Sequence, residues 1–254
     1  HSLIPLMKTR LAEPAVLIDL GKISTLSYIN EQDGGLAIGA MTTYSEIAGS
    51  ELVQSNAPVL AEASGQVADN QIRNRGTIGG SLSHSDPAGD LPAVALALGA
   101  QLTTSSSGAH RTISADDFFV DLLTTALEPN EILSEIVIPA LPAGTGTAYA
   151  KFANKASHYA VVGVAAVVTV GSDGTCQSAR IGITGAGPKA TRATGTESAL
   201  VGSNLDDSAV RAAASHAGDG IDFNEDVHAS GEYRAHLISV YAARAIRAAV
   251  ENAS

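Results

Sequence analysis

The chain has 254 residues, 45% of them hydrophobic and 16% charged, which describes a folded protein of one or two domains and excludes a disordered one. Its 15 Lys+Arg against 26 Asp+Glu leave a formal net charge of −11, which argues against a general nucleic-acid binder. The single cysteine, Cys176, cannot by itself make an internal disulfide, a structural zinc site or an iron–sulfur cluster.

In chain order, Ala15-Val-Leu-Ile-Asp-Leu20 is an apolar run closed by Gly21 and predicts a buried strand. Asp33-Gly34-Gly35 marks a turn into a second strand at 36–40. Thr43 and Glu46 have capping-box spacing and start a helix. Another helix spans 58–68, with Leu60, Ala61, Ala63 and Ser64 at helical spacing. The stretch 71–92 is dense in Gly and small polar residues and predicts neither helix nor strand. An apolar helix resumes over 93–100, with Asp90 as its N-cap and Pro92 in its first turn. Strands at 101–104 and 111–113 flank a turn at 105–108, a short helix begins at Asp116, and 131–139 reads as a strand.

Residues 139–147, rich in Pro and Gly, set a domain boundary, giving domains 1–143 and 144–254. Beyond it, strands at 148–152, 161–170 and 178–184 include a hairpin turn at 171–174. Helices follow at 197–200, 207–217 and 235–252, the last carrying Leu237, Val240, Tyr241, Ile246 and Val250 along one stripe. The second domain is therefore a small α+β unit with helices on one face of a sheet. The longest apolar run, 160–170, is short of the ~18 residues of a membrane span. The N-terminus shows no basic stretch followed by an apolar one, so a cytoplasmic location is the simplest expectation.

The most informative stretch is Arg75-Gly-Thr-Ile-Gly-Gly-Ser81. Glycines let consecutive backbone N–H groups face one concavity, and the Thr77 hydroxyl adds a donor, which is the chemistry of a phosphate cradle. A tight turn between two buried elements accounts for the same residues equally well. Asp86 and Asp90 suit the hydroxyls of a sugar or ribityl chain, or a turn and a helix cap. His84 reads as a base or as structural. The histidines show no H-x-x-x-H spacing, so no metal site is predicted. No G-x-S-x-G is present to mark a nucleophile. Lys151, Lys155 and Tyr159 either reach a ligand at the domain interface or form a solvated strand edge.

Taken whole, Gln71-Ile-Arg-Asn-Arg-Gly-Thr-Ile-Gly-Gly-Ser-Leu-Ser-His-Ser-Asp-Pro-Ala-Gly-Asp-Leu-Pro92 resembles the second flavin motif of the FAD-binding medium subunits of molybdenum hydroxylases. Lys151-Phe-Ala-Asn-Lys-Ala-Ser-His-Tyr159, Gly185-Ala-Gly-Pro-Lys-Ala-Thr-Arg192 and Glu232-Tyr-Arg-Ala-His-Leu237 are similar to further landmarks of that family. Residues 3–20 look like the segment after its first flavin motif. The likeness covers essentially the whole chain, and the aerobic carbon monoxide dehydrogenase subgroup is the best match within it.

The resemblance implies an α+β fold: a PCMH-type FAD-binding domain of two α/β subdomains, then a small α+β C-terminal domain. It implies that backbone amides around Thr77, Ile78, Gly79, Gly80 and Ser81 hold the pyrophosphate and that Asp90 bonds the cofactor's hydroxyls. Val67 and Leu127 would pack on the cofactor, and Lys151 and Tyr159 would lie near the isoalloxazine, with Tyr159 covering or gating one face as the residue closest to the redox chemistry. The family's first flavin motif is Ala-Gly-Gly-His-Ser, so His1 and Ser2 would belong to the same site. The Gly-Gly pair and the preceding unit of roughly thirty residues lie outside this sequence, and the resemblance implies that the protein carries them.

The resemblance also implies the company the chain keeps. A large partner subunit would hold the molybdenum cofactor, and a small one two [2Fe–2S] clusters, in a dimer of heterotrimers. FAD in this chain would pass their electrons to an external acceptor such as a quinone. Peripheral contact with the inner face of the cell membrane is the alternative to a wholly cytoplasmic place. The FAD subunit of a purine or aromatic-heterocycle hydroxylase is the runner-up. A stand-alone flavoenzyme and a flavin-free structural subunit follow.

Overall fold

A computed structural model describes residues 1–253. Its first half is built on an antiparallel sheet of β1 (Ile29–Gln32), β2 (Gly35–Gly39), β3 (Gln101–Ser106), β4 (Ala109–Ser114) and β7 (Ile132–Ile138), ordered β1-β2-β7-β3-β4. Between β4 and β7 a small hairpin, β5 (Phe119–Asp121) with β6 (Thr124–Thr125), projects from the sheet. Leu36, Ile38, Leu102 and Ile136 are fully buried beneath a layer of short helices, and Phe118 is the largest side chain sealed in this core. The second half has one antiparallel sheet, ordered β11-β10-β9-β8, from β8 (Thr145–Ala153), β9 (Ala160–Val170), β10 (Cys176–Thr184) and β11 (Thr191–Arg192). β9 is buried over nearly its whole length, so it reads as an unbroken apolar run instead of alternating.

The capping box at Thr43 forms as its spacing predicts. The Thr43 hydroxyl accepts from the Glu46 amide, and Glu46 accepts from the Thr43 amide at 2.7 Å, so two helix-end donors are satisfied reciprocally. Thr43→Ala is expected to cost about 1 kcal/mol. Urea unfolding measures it, and an unchanged midpoint would mean the cap contributes nothing.

Four local expectations are corrected. Residues 15–20 form no strand, and Val16, Leu17 and Ile18 are exposed. An apolar run becomes a strand only when another strand pairs with it, and among the described residues none does. The stretch 71–92 is largely helical, with helices at Asn70–Arg73 and Ile78–His84 and a third starting at Asp90. Capping overrides the low propensity of its glycines: the Asp69 carboxylate accepts from the Ile72 amide, and the Thr77 hydroxyl from the Gly80 amide. Burial of Ile78 and Leu82 does the rest.

The cap of the helix Asp90–Leu98 is Gly89, and Asp90 is its buried first residue. In the long helix Gly231–Glu251, the buried face is Leu237, Ile238, Ala242, Ala245, Ile246 and Ala249, while Val240, Tyr241 and Val250 sit at its margins. The cause is close approach: a Cβ on Gly146 of β8 would lie 1.9 Å from the Ala249 carbonyl, and at that spacing alanines fit the contact.

The two halves meet on the helix Asp90–Leu98, which packs on β9 and β10. A Cβ on Gly182 would fall 2.0 Å from the Ala93 carbonyl, so helix and strand touch backbone to backbone. The Arg180 guanidinium donates to the Leu96 carbonyl at the helix C-terminus at 2.8 Å and pairs with Asp116 at 3.0 Å. At the other end of the helix, the Thr184 hydroxyl is within bonding distance of the Pro87 and Gly89 carbonyls, and the Gly185 amide donates to Pro87 at 2.7 Å. The second sheet thus fixes the loop that delivers Asp90.

Candidate functional site

A cleft of about 760 Å³ opens where these elements converge. Its walls include His1, Ser2, Val67, Thr77, Gly80, Ser81, Asp90 and Tyr159, all picked out from the sequence. Other wall residues were given no role from the sequence, among them Tyr44, Arg75 and His158. The His1 ring is tied to the Ile72 carbonyl at 3.1 Å.

The Gly-rich turn works differently from a nest of free amides. The Ile78 amide donates to the Thr42 carbonyl at 3.0 Å and the Gly79 amide to the Ala40 carbonyl at 2.8 Å. Neither residue lines the cleft, so the roles expected of their amides are corrected. Gly79 is a packing glycine, since its Cβ would meet the Ala40 carbonyl at 2.6 Å. Gly80 is the one that leaves bare backbone beside the cleft: it is exposed, and an added Cβ would meet only the Thr77 hydroxyl. The Gly80 and Ser81 amides donate to Thr77 itself. Leu127, expected to pack on the cofactor, is partly buried. It packs on the first core and lies off the cleft wall.

Lys151 stands behind the cleft wall. It neither lines the cleft nor sits on a solvated edge. Its side chain is 2% exposed, and its ammonium donates to Asp90 Oδ2 at 2.9 Å and to the Gln66 carbonyl at 3.2 Å. The hydroxyl of Tyr149 donates to Asp90 Oδ1 at 2.5 Å, and the Tyr149 amide to Glu62 at 2.8 Å. Both Asp90 oxygens are therefore engaged from behind. Burial pushes the Asp90 carboxyl above the usual carboxylate range, while Lys151 and Tyr149 pull it back. Burial, reinforced by Asp90, lifts the Tyr149 hydroxyl well above its ordinary value. Tyr149 had been overlooked, yet residues 149 and 151 alternate onto one face of β8, which is the signal that finds it.

Tyr159 is half-exposed on the cleft wall, and burial, then the nearby Asp86 carboxylate, raises the pKa of its hydroxyl. Asp86 is also the turn residue that sequence reasoning allowed, accepting from the Ala88 amide at 2.9 Å, with the His84 ring 3.7 Å away. Lys155 is exposed and stands apart from the cleft.

These residues fit a long dinucleotide-like group. Gly80 offers bare backbone beside the cleft, Asp90 a buried carboxylate, and Tyr159 an aromatic ring.

Comparison with known proteins agrees. Residues 1–141 match the family described as the FAD binding domain in molybdopterin dehydrogenase, and residues 147–249 the CO dehydrogenase flavoprotein C-terminal domain. The chain belongs to the FAD-binding medium subunits of molybdenum hydroxylases. It is 40% identical to the carbon monoxide dehydrogenase medium chain of Hydrogenophaga pseudoflava, over 98% of this chain and 86% of that one. It is 38% identical to the 6-hydroxypseudooxynicotine dehydrogenase complex subunit alpha of Paenarthrobacter nicotinovorans, over 100% of this chain and 86% of that one. A structure of the H. pseudoflava carbon monoxide dehydrogenase lacking the Mo-pyranopterin moiety of its cofactor superposes with a TM-score of 0.96 at 40% identity, covering 100% of this chain and 88% of that one. Among the described residues no helix is long and apolar enough to cross a membrane.

Proposed function

We propose that this chain is the flavin-carrying electron-transfer subunit of a molybdenum hydroxylase of the carbon monoxide dehydrogenase type. The observation that carries the reading is the cleft at the junction of the two halves, whose wall brings together bare backbone at Gly80, the braced Asp90 carboxylate and the Tyr159 ring. FAD bound there would collect electrons from a partner's [2Fe–2S] clusters and release them to an external acceptor such as a quinone. Ser81 and the Gly80 backbone face the phosphates, and Asp90 the hydroxyl-bearing chain. Val67 packs on the cofactor, and Tyr159 covers one face of the ring system. His1 and Ser2 complete the wall. Lys151 acts through Asp90, opposing the burial that raises its pKa and holding the carboxyl group in place.

The partners are a large molybdenum-binding and a small iron–sulfur subunit, in a dimer of heterotrimers, working in the cytoplasm. The single cysteine supports placing the clusters in another chain. The domains divide at 143/144. The similar identities to a carbon monoxide and to an N-heterocycle relative support a reducing substrate chosen outside this chain. Offering carbon monoxide, purines and aromatic heterocycles in turn to the purified complex identifies it.

Tyr159→Ala tests the covering role. Flavin content is expected to hold while reoxidation of the reduced complex changes by about tenfold, equivalent to ~1.4 kcal/mol in the barrier. Stopped-flow absorbance reads the rate, and an unaltered rate would remove Tyr159 from the path.

A further inference from the structure

The Gly-rich turn offers a phosphate fewer donors than its composition suggests. The Ile78 and Gly79 amides are spent on Thr42 and Ala40, and the Gly80 and Ser81 amides on Thr77. A diphosphate in the cleft must therefore draw on side chains of the wall.

The charge of that wall narrows the choice. Its carboxylates are Asp69, Asp86 and Asp90. Lys151 neutralises Asp90 from behind. Asp69 accepts from the Ile72 amide and Asp86 from the Ala88 amide, each at 2.9 Å, and no Lys or Arg among the described residues pairs with either. These two carboxylates would repel a diphosphate unless it lay against a cation. Arg73 is not that cation, because its guanidinium already donates to the Val67 and Ala68 carbonyls at 2.8 and 2.9 Å and to the Asn70 side chain.

Arg75 is the only Lys or Arg among the described residues that lines the cleft. Its side chain is exposed, and no carbonyl or carboxylate of the described residues engages its guanidinium. Its backbone, in contrast, is pinned. The Arg75 and Gly76 amides donate to the Ile72 carbonyl at 3.1 and 2.7 Å, and the Gly76 carbonyl accepts from the Tyr44 amide at 3.0 Å. A Cβ on Gly76 would stand 2.5 Å from the Tyr44 ring, so the chain beside Arg75 is seated on that ring. A fixed Cα carrying an unspent, permanently charged fork is suited to a bidentate contact with phosphate oxygens.

We infer that Arg75 is the cationic clamp of the cofactor's diphosphate and supplies the charge and donors that the Gly-rich turn does not. The inference rests on the reading above that FAD occupies the cleft. Arg75 makes no bond to the cofactor and moves no proton; it binds and orients.

The test uses the intact complex stripped of its flavin, with FAD and riboflavin rebinding followed by flavin fluorescence at several salt concentrations. Riboflavin carries the ring and the ribityl chain without phosphates. Arg75→Gln is expected to raise the FAD dissociation constant about tenfold, the loss of one charge-assisted contact, and to leave that of riboflavin unchanged. It should also flatten the weakening of FAD binding by salt. Arg75→Lys should restore the salt dependence and only part of the affinity, because the charge returns without the fork. Lys22→Gln, which removes an exposed charge outside the cleft, should change neither flavin's affinity. An Arg75→Gln complex that binds FAD like wild type would overturn the clamp. Equal losses for FAD and riboflavin would also overturn it, since they would mark a structural role. A wild-type complex that takes up neither flavin would remove the reading of the cleft itself.

Discussion

Lys151→Met is expected to destabilise the protein by about 3–5 kcal/mol, the cost of stranding one member of a buried ion pair. Lys151 and Asp90 are 2% and 5% exposed at the side chain and 2.9 Å apart. Without the ammonium, Asp90 keeps only the Tyr149 hydroxyl against a desolvation cost that already drives its pKa up. In a protein of this length the loss corresponds to a fall in Tm of about 10 °C.

The sign of its pH dependence follows. In the variant, the folded-state pKa of Asp90 lies further above the unfolded value, so the folded state binds the extra proton. The deficit is therefore full at neutral pH and shrinks as pH falls through the raised pKa toward the ordinary carboxylate range. Adding Asp90→Asn should recover much of the stability, because no buried charge is then left unpaired. Flavin affinity should not recover with it, because the carboxylate is gone. Denaturant titrations at several pH values, with flavin content measured in parallel, separate the two effects. A Lys151→Met protein as stable as wild type at neutral pH would mean that the pair is solvated.

Gly182→Ala is expected to cost about 3 kcal/mol or more, at the upper end of overpacking. The added methyl would stand 2.0 Å from the Ala93 carbonyl and 2.8 Å from its carbon, and both are backbone. No rotamer change relieves that clash, so the helix Asp90–Leu98 must lift from β10. Lifting it loosens the Arg180 and Thr184 contacts that hold its two ends, and Asp90 moves with it. Stability and flavin retention should fall together, in contrast to Tyr159→Ala. Thermal unfolding and flavin release on dialysis read both, and an unchanged Tm would mean that helix and strand are further apart than described.

Much of the fold was legible because its signals are local. The Thr43–Glu46 spacing marks a cap, and the unbroken apolar run of β9 marks a strand buried on both faces. What was illegible depends on partners distant in the chain. Residues 15–20 carry a strand's composition and find no strand to pair with. The glycines at 76, 79 and 80 suggested a loop, while burial of Ile78 and Leu82 made a helix of it. The alanine face of the last helix is set by its backbone distance from β8, which no periodicity reports.

At the site, composition and motif led to Thr77, Gly80, Ser81, Asp90 and Tyr159. They misplaced Ile78 and Gly79, whose amides are spent on Thr42 and Ala40 across 36 and 39 residues of chain. The contact of Lys151 with Asp90 was illegible, since it spans 61 residues.

The most direct measurement is a visible absorption spectrum of the native complex isolated through this chain, followed by acid release and identification of any flavin. Flavin bands over broad iron–sulfur absorption, with FAD in the acid supernatant, are the result the cleft and the family membership predict. A complex that forms with its iron–sulfur and molybdenum partners but yields no flavin would contradict an electron-carrying role and leave the chain a structural subunit.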